Sequence, residues 1–284
     1  MNIPIVIIHT GNQEYLHTNL KYIKYKNQNN NIYLLGDDSN SNVISYGIQH
    51  INLNELYSQL ITIFENNFVN YSTNNHNFEL ICFLRIFFLY NWMIKYNIEK
   101  CVHLDSDCVL VENLNNIYND YNIAYSYQDK TQNEYHMVGS VHNSFLTKEF
   151  CKKFIDLCFR IYVTKEDYKL IEPKILYHKK NNIPGGICDM TIYYLLVKHN
   201  IININNLNDI INDSTYINNI NDTYGCDGND TWLTNKYGKI TIIKENELFY
   251  AIRKSTNTKI KLNTLHFQGG AKQLMNNILE NGFE

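Results

Sequence analysis

The stretch Cys101–Glu112, CVHLDSDCVLVE, constrains this chain more than any other. Two short apolar runs, Val102-His103-Leu104 and Val109-Leu110-Val111, flank Asp105-Ser106-Asp107, and the β-branched and aliphatic residues on both sides predict strand. Two carboxylates one residue apart at the end of a buried strand are costly unless a positive charge neutralises them. A divalent cation with oxygen ligands, shared with a phosphate-bearing substrate, is the usual neutraliser. A strand end with two solvated aspartates is the commoner occurrence of Asp-x-Asp, so the rest of the chain has to decide.

With 284 residues, 44% of them hydrophobic and 19% charged, the chain can bury one sizeable core or two small ones that share an interface. A net charge of −3 gives no general attraction to nucleic acid or anionic membranes, so any phosphate site has to be built locally. The seven cysteines contain no Cys-x-x-Cys. Cys101 and Cys108 flank the acidic pair while Cys151 and Cys158 share a predicted helix, which points to buried free thiols rather than a zinc site or a disulfide framework. The N-terminal MNIPIVIIHTGN lacks the basic region and cleavage site of a signal peptide. No later run approaches the roughly 18 apolar residues of a membrane span. The expectation is a soluble, cytoplasmic protein, in which the sequon Asn212-Asp213-Ser214 is incidental.

Ile3 to Ile8 reads as a buried parallel strand. It ends in His9-Thr10-Gly11, before a helix starting near Asn12 and carrying Tyr15, Leu16, Leu20 and Ile23. Such a βα unit commonly holds a nucleotide, but without Gly-x-Gly-x-x-Gly or a Walker sequence an ordinary first βα unit fits as well. A second strand, Ile32 to Leu35, ends in Gly36-Asp37-Asp38; Val43 to Ile51 supplies a third, and Leu53 to Phe68 a helix. Phe78 to Ile94 is apolar nearly all round, the mark of a core helix. Arg85 within it must pair, either bracing the sheet against a carboxylate or reaching Asp105 or a nucleotide phosphate.

After the acidic pair, Ile117 to Tyr127 returns to the sheet, Val138 to Thr147 is a strand and Lys148 to Tyr162 an amphipathic helix. Thr164 to Lys180 is charged and tyrosine-rich with no clear period. Ile183-Pro184-Gly185-Gly186 reads as a flexible turn. Asp189 opens the next helix, Thr191 to Val197, as a cap or as part of a substrate loop behind a Gly-Gly hinge. Ile201 to Thr223 is a low-complexity Asn/Ile segment of short strands and turns, and Thr241 to Ile252 reads as the last core strands. Strands alternating with helices predict an α/β fold with a largely parallel sheet.

The chain closes on Leu265-His266-Phe267-Gln268-Gly269-Gly270-Ala271-Lys272. His-Phe-x-Gly-x-x-Lys, together with Asp-x-Asp after a long βα half, resembles the GT-A fold glycosyltransferases, and among them the glycogenin-like, retaining family (glycosyltransferase family 8). The resemblance spans most of the chain in order, and the acidic pair and the C-terminal motif are its specific parts. It implies a Rossmann-like α/β fold, a mixed, mostly parallel central sheet flanked by helices, in one domain. Residues 1–125 would bind the nucleotide sugar, 126–260 would face sugar and acceptor, and 261–284 would complete the metal and diphosphate site.

By the same resemblance Asp105, Asp107 and His266 bind Mn²⁺, with Mg²⁺ as the alternative, and Lys272 contacts the diphosphate of a UDP-sugar donor. Ser106 and Gly269 line the same path, Gly269 allowing close backbone approach. His9, Thr10, Gly11 and Tyr15 match the segment that holds uracil and ribose, and Arg85 matches an arginine on the helix before the acidic strand. Asp189 matches the aspartate of an Asp-Gln motif, with Met190 in place of the glutamine. Asn143-Ser144 matches part of an Asn-Ser-Gly strand, with Phe145 in place of the glycine. Those departures fall on positions facing the donor sugar. The implied acceptor is a glycan, a protein or a lipid-linked sugar. The Asn-, Ile-, Tyr- and Lys-rich composition is that of an AT-rich source such as a large DNA virus or a protist, which would put the protein in a host cytoplasm or a virion.

Elementary chemistry supports the same set. Two carboxylates and an imidazole suit Mn²⁺ better than Mg²⁺, and Lys272 adds a point charge to the same leaving group. Inversion would need a carboxylate base, for which Asp189 could serve; the resemblance implies retention, with Asp189 on donor-sugar hydroxyls. Two rival readings stand beside this one. Leu104-Asp-Ser-Asp-Cys-Val also matches the nucleophile motif of haloacid-dehalogenase-like phosphatases, with Asp105 attacking phosphate. A non-catalytic nucleotide-sugar-binding module is the other.

Overall fold

A computed structural model describes residues 3–283 apart from 118–119, 128–134, 218, 222–223 and 227–229. The first βα units run β1 (Ile5–Ile8), α1 (Glu14–Lys26), β2 (Ile32–Gly36) and β3 (Gln49–Asn52). Helices α2 (Gln59–Asn67) and α3 (His76–Lys95) lead into β4 (Lys100–Leu104) and β5 (Cys108–Leu110). Then come β6 (Ala124–Tyr127), β7 (Gly139–Thr147), α4 (Lys148–Cys158), α5 (Glu172–Asn181) and α6 (Asp189–Lys198). Short strands β8 (Asn205–Asn206), β9 (Ser214–Tyr216), β10 (Tyr224–Cys226) and β11 (Asp230–Thr231) follow. The chain ends with β12 (Ile243–Glu245), β13 (Leu248–Arg253), β14 (Thr258–His266) and α7 (Met275–Asn281).

The larger sheet has the order β3-β2-β1-β4-β7-β6-β8. Its β3, β2, β1 and β4 are mutually parallel, β7 runs antiparallel to both β4 and β6, and β8 is parallel to β6. This is the mixed, mostly parallel α/β architecture expected from the alternation of strands and helices. β1 shows why: Ile5 and Ile7 pack into one core and Val6 and Ile8 into another, so every residue of the run is buried. One core holds α1, α7 and the second sheet against this face; the other holds α2, α3, α4 and α6 against the opposite face. Going from β1 to β2 the chain moves to one side, and β4 returns on the other. That reversal opens a crevice at the strands' carboxyl ends.

β4 and β5 do not lie in one sheet. β4 sits between β1 and β7, while β5 pairs antiparallel with β14 in a smaller sheet of order β12-β13-β14-β5, to which β9 adds by pairing with β14. The Asp105-Ser106-Asp107 turn is therefore the crossing from one sheet to the other.

Several boundaries differ from the sequence reading. β14 is the long last strand, later than the expected Thr241–Ile252, because its Lys, Thr and Asn residues mask the alternation. The third strand starts only at Gln49, after a 3-10 segment Asp38–Tyr46 capped by Asp37. Leu53 to Phe68 splits into a 3-10 turn and α2. The Gly185-Gly186 turn is pinned: Thr73 N–H donates to the Gly185 carbonyl, Gly185 N–H to the Thr73 hydroxyl, and Ile187 N–H to the Tyr71 carbonyl. α3 is long and apolar enough to cross a membrane by length and composition, contrary to the expectation that no run comes close, but half of that window is buried in the core. Cys82, Cys101, Cys108, Cys151, Cys158 and Cys188 are free thiols, and Cys101, Cys108, Cys151 and Cys158 are buried.

Candidate active site

The turn at 105–107 is built by backbone bonds. Asp105 N–H donates to the His142 carbonyl (2.8 Å), Cys108 N–H to the Asp105 carbonyl (2.9 Å), and Phe267 N–H to the Asp107 carbonyl (2.8 Å). From α1 the buried Asn19 amide donates to the Ser106 and Cys108 carbonyls, at 2.8 and 3.1 Å. A tight turn between two sheets would otherwise leave those carbonyls buried and unpaired. Asn19 sits on the apolar face of α1 beside Leu16 and Leu20, and its polarity on that face is the signal that could have found it.

Register then delivers the third group. In the β14–β5 pairing His266 lies opposite Cys108, the residue after Asp107. Ligand atoms of Asp105, Asp107 and His266 fall within 4.8 Å of one another. His266 Nε2 is 3.4 Å from Asp107 Oδ1, and Lys272 Nζ is 2.5 Å from Asp107 Oδ2. The donor set, two carboxylates and an imidazole, fits a divalent cation. Burial raises the Asp107 carboxyl, but the hydrogen bond to His266 and the Lys272 ammonium outweigh it and hold the carboxyl well below its ordinary value. Burial opposes Asp105 as well, and the Arg85 guanidinium reverses it.

Arg85 makes both of the contacts open to it on the protein side. Its Nη1 pairs with Asp105, and its Nη2 donates to Asp189 Oδ2 at 2.9 Å. The bridge to Asp189 was not foreseen. Asp189 begins α6 but does not cap it; burial pushes its carboxyl up and Arg85 offsets only part of that. Two further imidazoles lie under the site. His142 stacks on His266 with ring centroids 4.3 Å apart and 12° between planes, its Nδ1 2.8 Å from the Ser140 hydroxyl. His103 Nδ1 is 2.9 Å from the Val141 carbonyl. Burial lowers these rings to about 3 for His142 and about 4 for His103, so both are neutral at pH 7.

All of this opens on a cavity of about 830 Å³. At one end His9, Thr10, Tyr15, Gly269 and Lys272 form its wall. Tyr15 packs edge-on to His9 (5.8 Å), and the Lys272 ammonium stands 5.3 Å over the Tyr15 ring. Two residues past β2 lock the 9–11 loop: Asn40 donates to the His9 and Gly11 carbonyls, both at 3.0 Å, and Asp37 Oδ2 accepts from Gly11 N–H at 2.7 Å. Gly269 has φ +60°, which favours glycine, and a Cβ there would meet open space.

Of the residues singled out in the sequence, His9, Thr10, Tyr15, Arg85, Asp105, Ser106, Asp107, Asp189, His266, Gly269 and Lys272 all line this cavity. Gly11 and Asn143 do not. Gly11 is held by Asp37 and Asn40 in the loop behind, and Asn143 is buried between the sheets, donating to the Thr264 hydroxyl at 3.1 Å. The pairing of β7 with β6 is irregular between Ser140 and Ser144; Ser140, Val141 and His142 there line the cavity, and Asn143 does not. The opposite end of the cavity is walled by Glu79 on α3, by Lys174 and His178 on α5, and by the 185–190 segment. The Gly-Gly turn and Asp189 were legible in the sequence; Glu79, Lys174 and His178 were not. α5 has no clean apolar period, but Pro173 in its first turn, basic residues in its last and Asn182 at φ +52° carry the start and stop signals of a helix.

Comparison with protein-family models and with curated proteins finds no match. Among solved structures the chain is similar to mouse xyloside xylosyltransferase 1 in its apo form, at TM-score 0.47 and 11% identity over 75% of this chain and 89% of that one. It is similar to the PaToxG glycosyltransferase at TM-score 0.43 and 14% identity, over 70% of each chain. A cytidylyltransferase from Leptospira borgpetersenii follows at TM-score 0.33 and 13% identity, over 60% of this chain and 73% of that one. Likenesses this distant assign no chemistry, which has to come from the site's own residues.

Proposed function

We propose that the protein is a metal-dependent glycosyltransferase of the GT-A type, moving a sugar from a UDP-sugar to a glycan, protein or lipid-linked acceptor in one catalytic domain. The observation that carries the reading is the convergence of Asp105, Asp107 and His266 with Lys272 at a cavity on the carboxyl ends of β1 and β4. Asp105, Asp107 and His266 would hold Mn²⁺ in preference to Mg²⁺. Such an ion supplies Lewis-acid stabilisation of a departing nucleoside diphosphate.

The chain's own residues do the rest. Lys272 places a positive charge beside the metal ligands, where the diphosphate's charge grows as the glycosidic bond breaks. His9, Thr10 and Tyr15 offer an aromatic-lined shelf for base and ribose, and burial lowers the His9 ring below its ordinary value. Arg85 orients Asp105 toward the metal position and Asp189 toward the sugar. Asp189, tied to Arg85, is then a ligand for donor-sugar hydroxyls, and retention of configuration is the outcome the family resemblance implies. The phosphatase alternative is disfavoured because it gives no task to His266 and Lys272, which converge on Asp107.

The test is release of nucleoside diphosphate from a panel of nucleotide sugars, with Mn²⁺ and with chelator. Slow hydrolysis of one donor, lost on chelation, is the expected result. Phosphate release from a generic ester with no turnover of any donor would overturn it. Lys272→Ala is expected to weaken UDP binding more than uridine binding by calorimetry; equal weakening would remove Lys272 from the diphosphate.

A further inference from the structure

The end of the cavity away from Lys272 carries two buried charges that the reading above leaves unused. Glu79 lies on α3, two turns before Arg85 on the helix face that also presents Cys82 to the cavity. It is 1% exposed. Its Oε1 accepts from the Asn74 amide at 2.7 Å, while its Oε2 is buried with no partner among the described residues. Lys174, on α5, is 4% exposed. Its ammonium donates to the His136 carbonyl at 2.6 Å and to the Thr191 hydroxyl at 3.0 Å, which uses two of its three N–H groups. Both residues wall the cavity. The Glu79 charge acts on Lys174, yet the two form no ion pair within 4.0 Å among the described contacts.

An unpaired carboxylate oxygen in a buried wall costs the full desolvation of that atom. A close Glu–Lys ion pair would remove most of the cost. The fold instead pins each partner separately, the carboxylate by Asn74 and the ammonium by His136 and Thr191, and keeps them apart. What fits between a fixed acceptor and a fixed donor is a group that donates to one and accepts from the other. A hydroxyl does both, and two adjacent hydroxyls on a rigid ring reach both with little ordering cost.

We infer that Glu79 and Lys174 form a polar subsite that reads adjacent hydroxyls of a sugar ring, Glu79 Oε2 accepting from one and Lys174 Nζ donating to the other. The inference rests on the transferase reading, which supplies two sugars that could occupy it: the one carried by the donor and the one on the acceptor. The pinned Gly185-Gly186 turn walls this end of the cavity.

The experiment measures wild-type protein, Glu79→Gln and Lys174→Met with Mn²⁺ and three probes. UDP and UDP-glucose, with UDP-galactose and UDP-xylose beside it, are titrated by calorimetry; consumption of the donor is then followed with and without added methyl glycosides. Glu79→Gln is isosteric and Lys174→Met is shorter only by the terminal atom, and UDP affinity within about two-fold of wild type shows that the fold and nucleotide end are intact. If the subsite reads the donor sugar, both variants lose about ten-fold or more in UDP-sugar affinity at unchanged UDP affinity. If it reads the acceptor, UDP-sugar affinity holds and the acceleration by a methyl glycoside disappears. Variants that match wild type in every readout overturn the subsite and leave the transferase reading standing. A wild-type protein that binds no UDP overturns both.

Discussion

Single side chains here answer to charge before shape. Arg85 is the clearest case, a guanidinium inside an otherwise apolar helix with carboxylates on both of its terminal nitrogens. Removing it leaves Asp105 and Asp189 without their counter-charge in a poorly solvated wall. Arg85→Met is therefore expected to cost about 3–5 kcal/mol in urea unfolding. Asp189→Asn in the same background should restore part of that loss, and additive effects would argue against the bridge. For Asp107, the Asn variant keeps the volume but loses the charge that faces His266 and Lys272. Asp107→Asn is expected to abolish detectable Mn²⁺ binding with the far-ultraviolet spectrum unchanged; wild-type affinity would remove Asp107 from the ligand set. These residues were legible from sequence because carboxylates at a strand end and an arginine in an apolar helix each demand a partner. Asp189 as the second partner of Arg85 was not, since nothing in a linear chain relates two positions 104 residues apart. Glu79 was missed for another reason: in the first turn of a helix a glutamate already has an ordinary explanation.

Elements carried their own signals unevenly. β1, α1, β2, α3, β4 and β7 announce themselves through continuous apolar runs or a clear period. α5 and β14 do not: α5 buries little more than Lys174, and β14 buries the polar Asn263 and Thr264 among its apolar residues. That mattered, since β14 delivers His266 and α5 delivers Lys174. The segment at 183–187 was read as loose from its glycines, and the structure gives those glycines a different task. Gly186 sits at φ +138°, and a Cβ there would lie 2.1 Å from the Tyr71 carbonyl oxygen. Glycine serves here to admit a close backbone approach rather than motion. Gly186→Ala is expected to lower stability by about 1–3 kcal/mol from backbone strain alone. An unchanged urea midpoint would mean that the contact with Tyr71 is not made in solution.

At the scale of the whole molecule, acid should act through the site. The carboxyls of Asp37, Asp105 and Asp107 are held below their ordinary range. A lowered native value gives stability that is complete above the unfolded value, near about 4, and is lost as pH falls toward the native values. Asp189 has the opposite sign: its raised value favours the protonated form, so its contribution fades as pH rises through that value. The buried neutral rings of His103 and His142 act in the same direction as the three carboxylates but from the unfolded imidazole value of about 6.5 downward, so the urea midpoint of metal-free protein is expected to decline progressively below about pH 6.5 and further below about 4. In Asp107→Asn the fall should be shallower. A midpoint that rises on acidification would reverse the assignment. The two sheets give the molecule a further property. Asp105 closes a strand of one sheet, His266 closes a strand of the other, and the turn between them is a seam rather than a hinge. An ion gripped by both is a rivet across that seam. Partial denaturation that frees β14 from β5 would then extinguish the metal affinity proposed for this site while the helices around the larger sheet still stand, so a bound ion would gauge whether β14 has docked against β5.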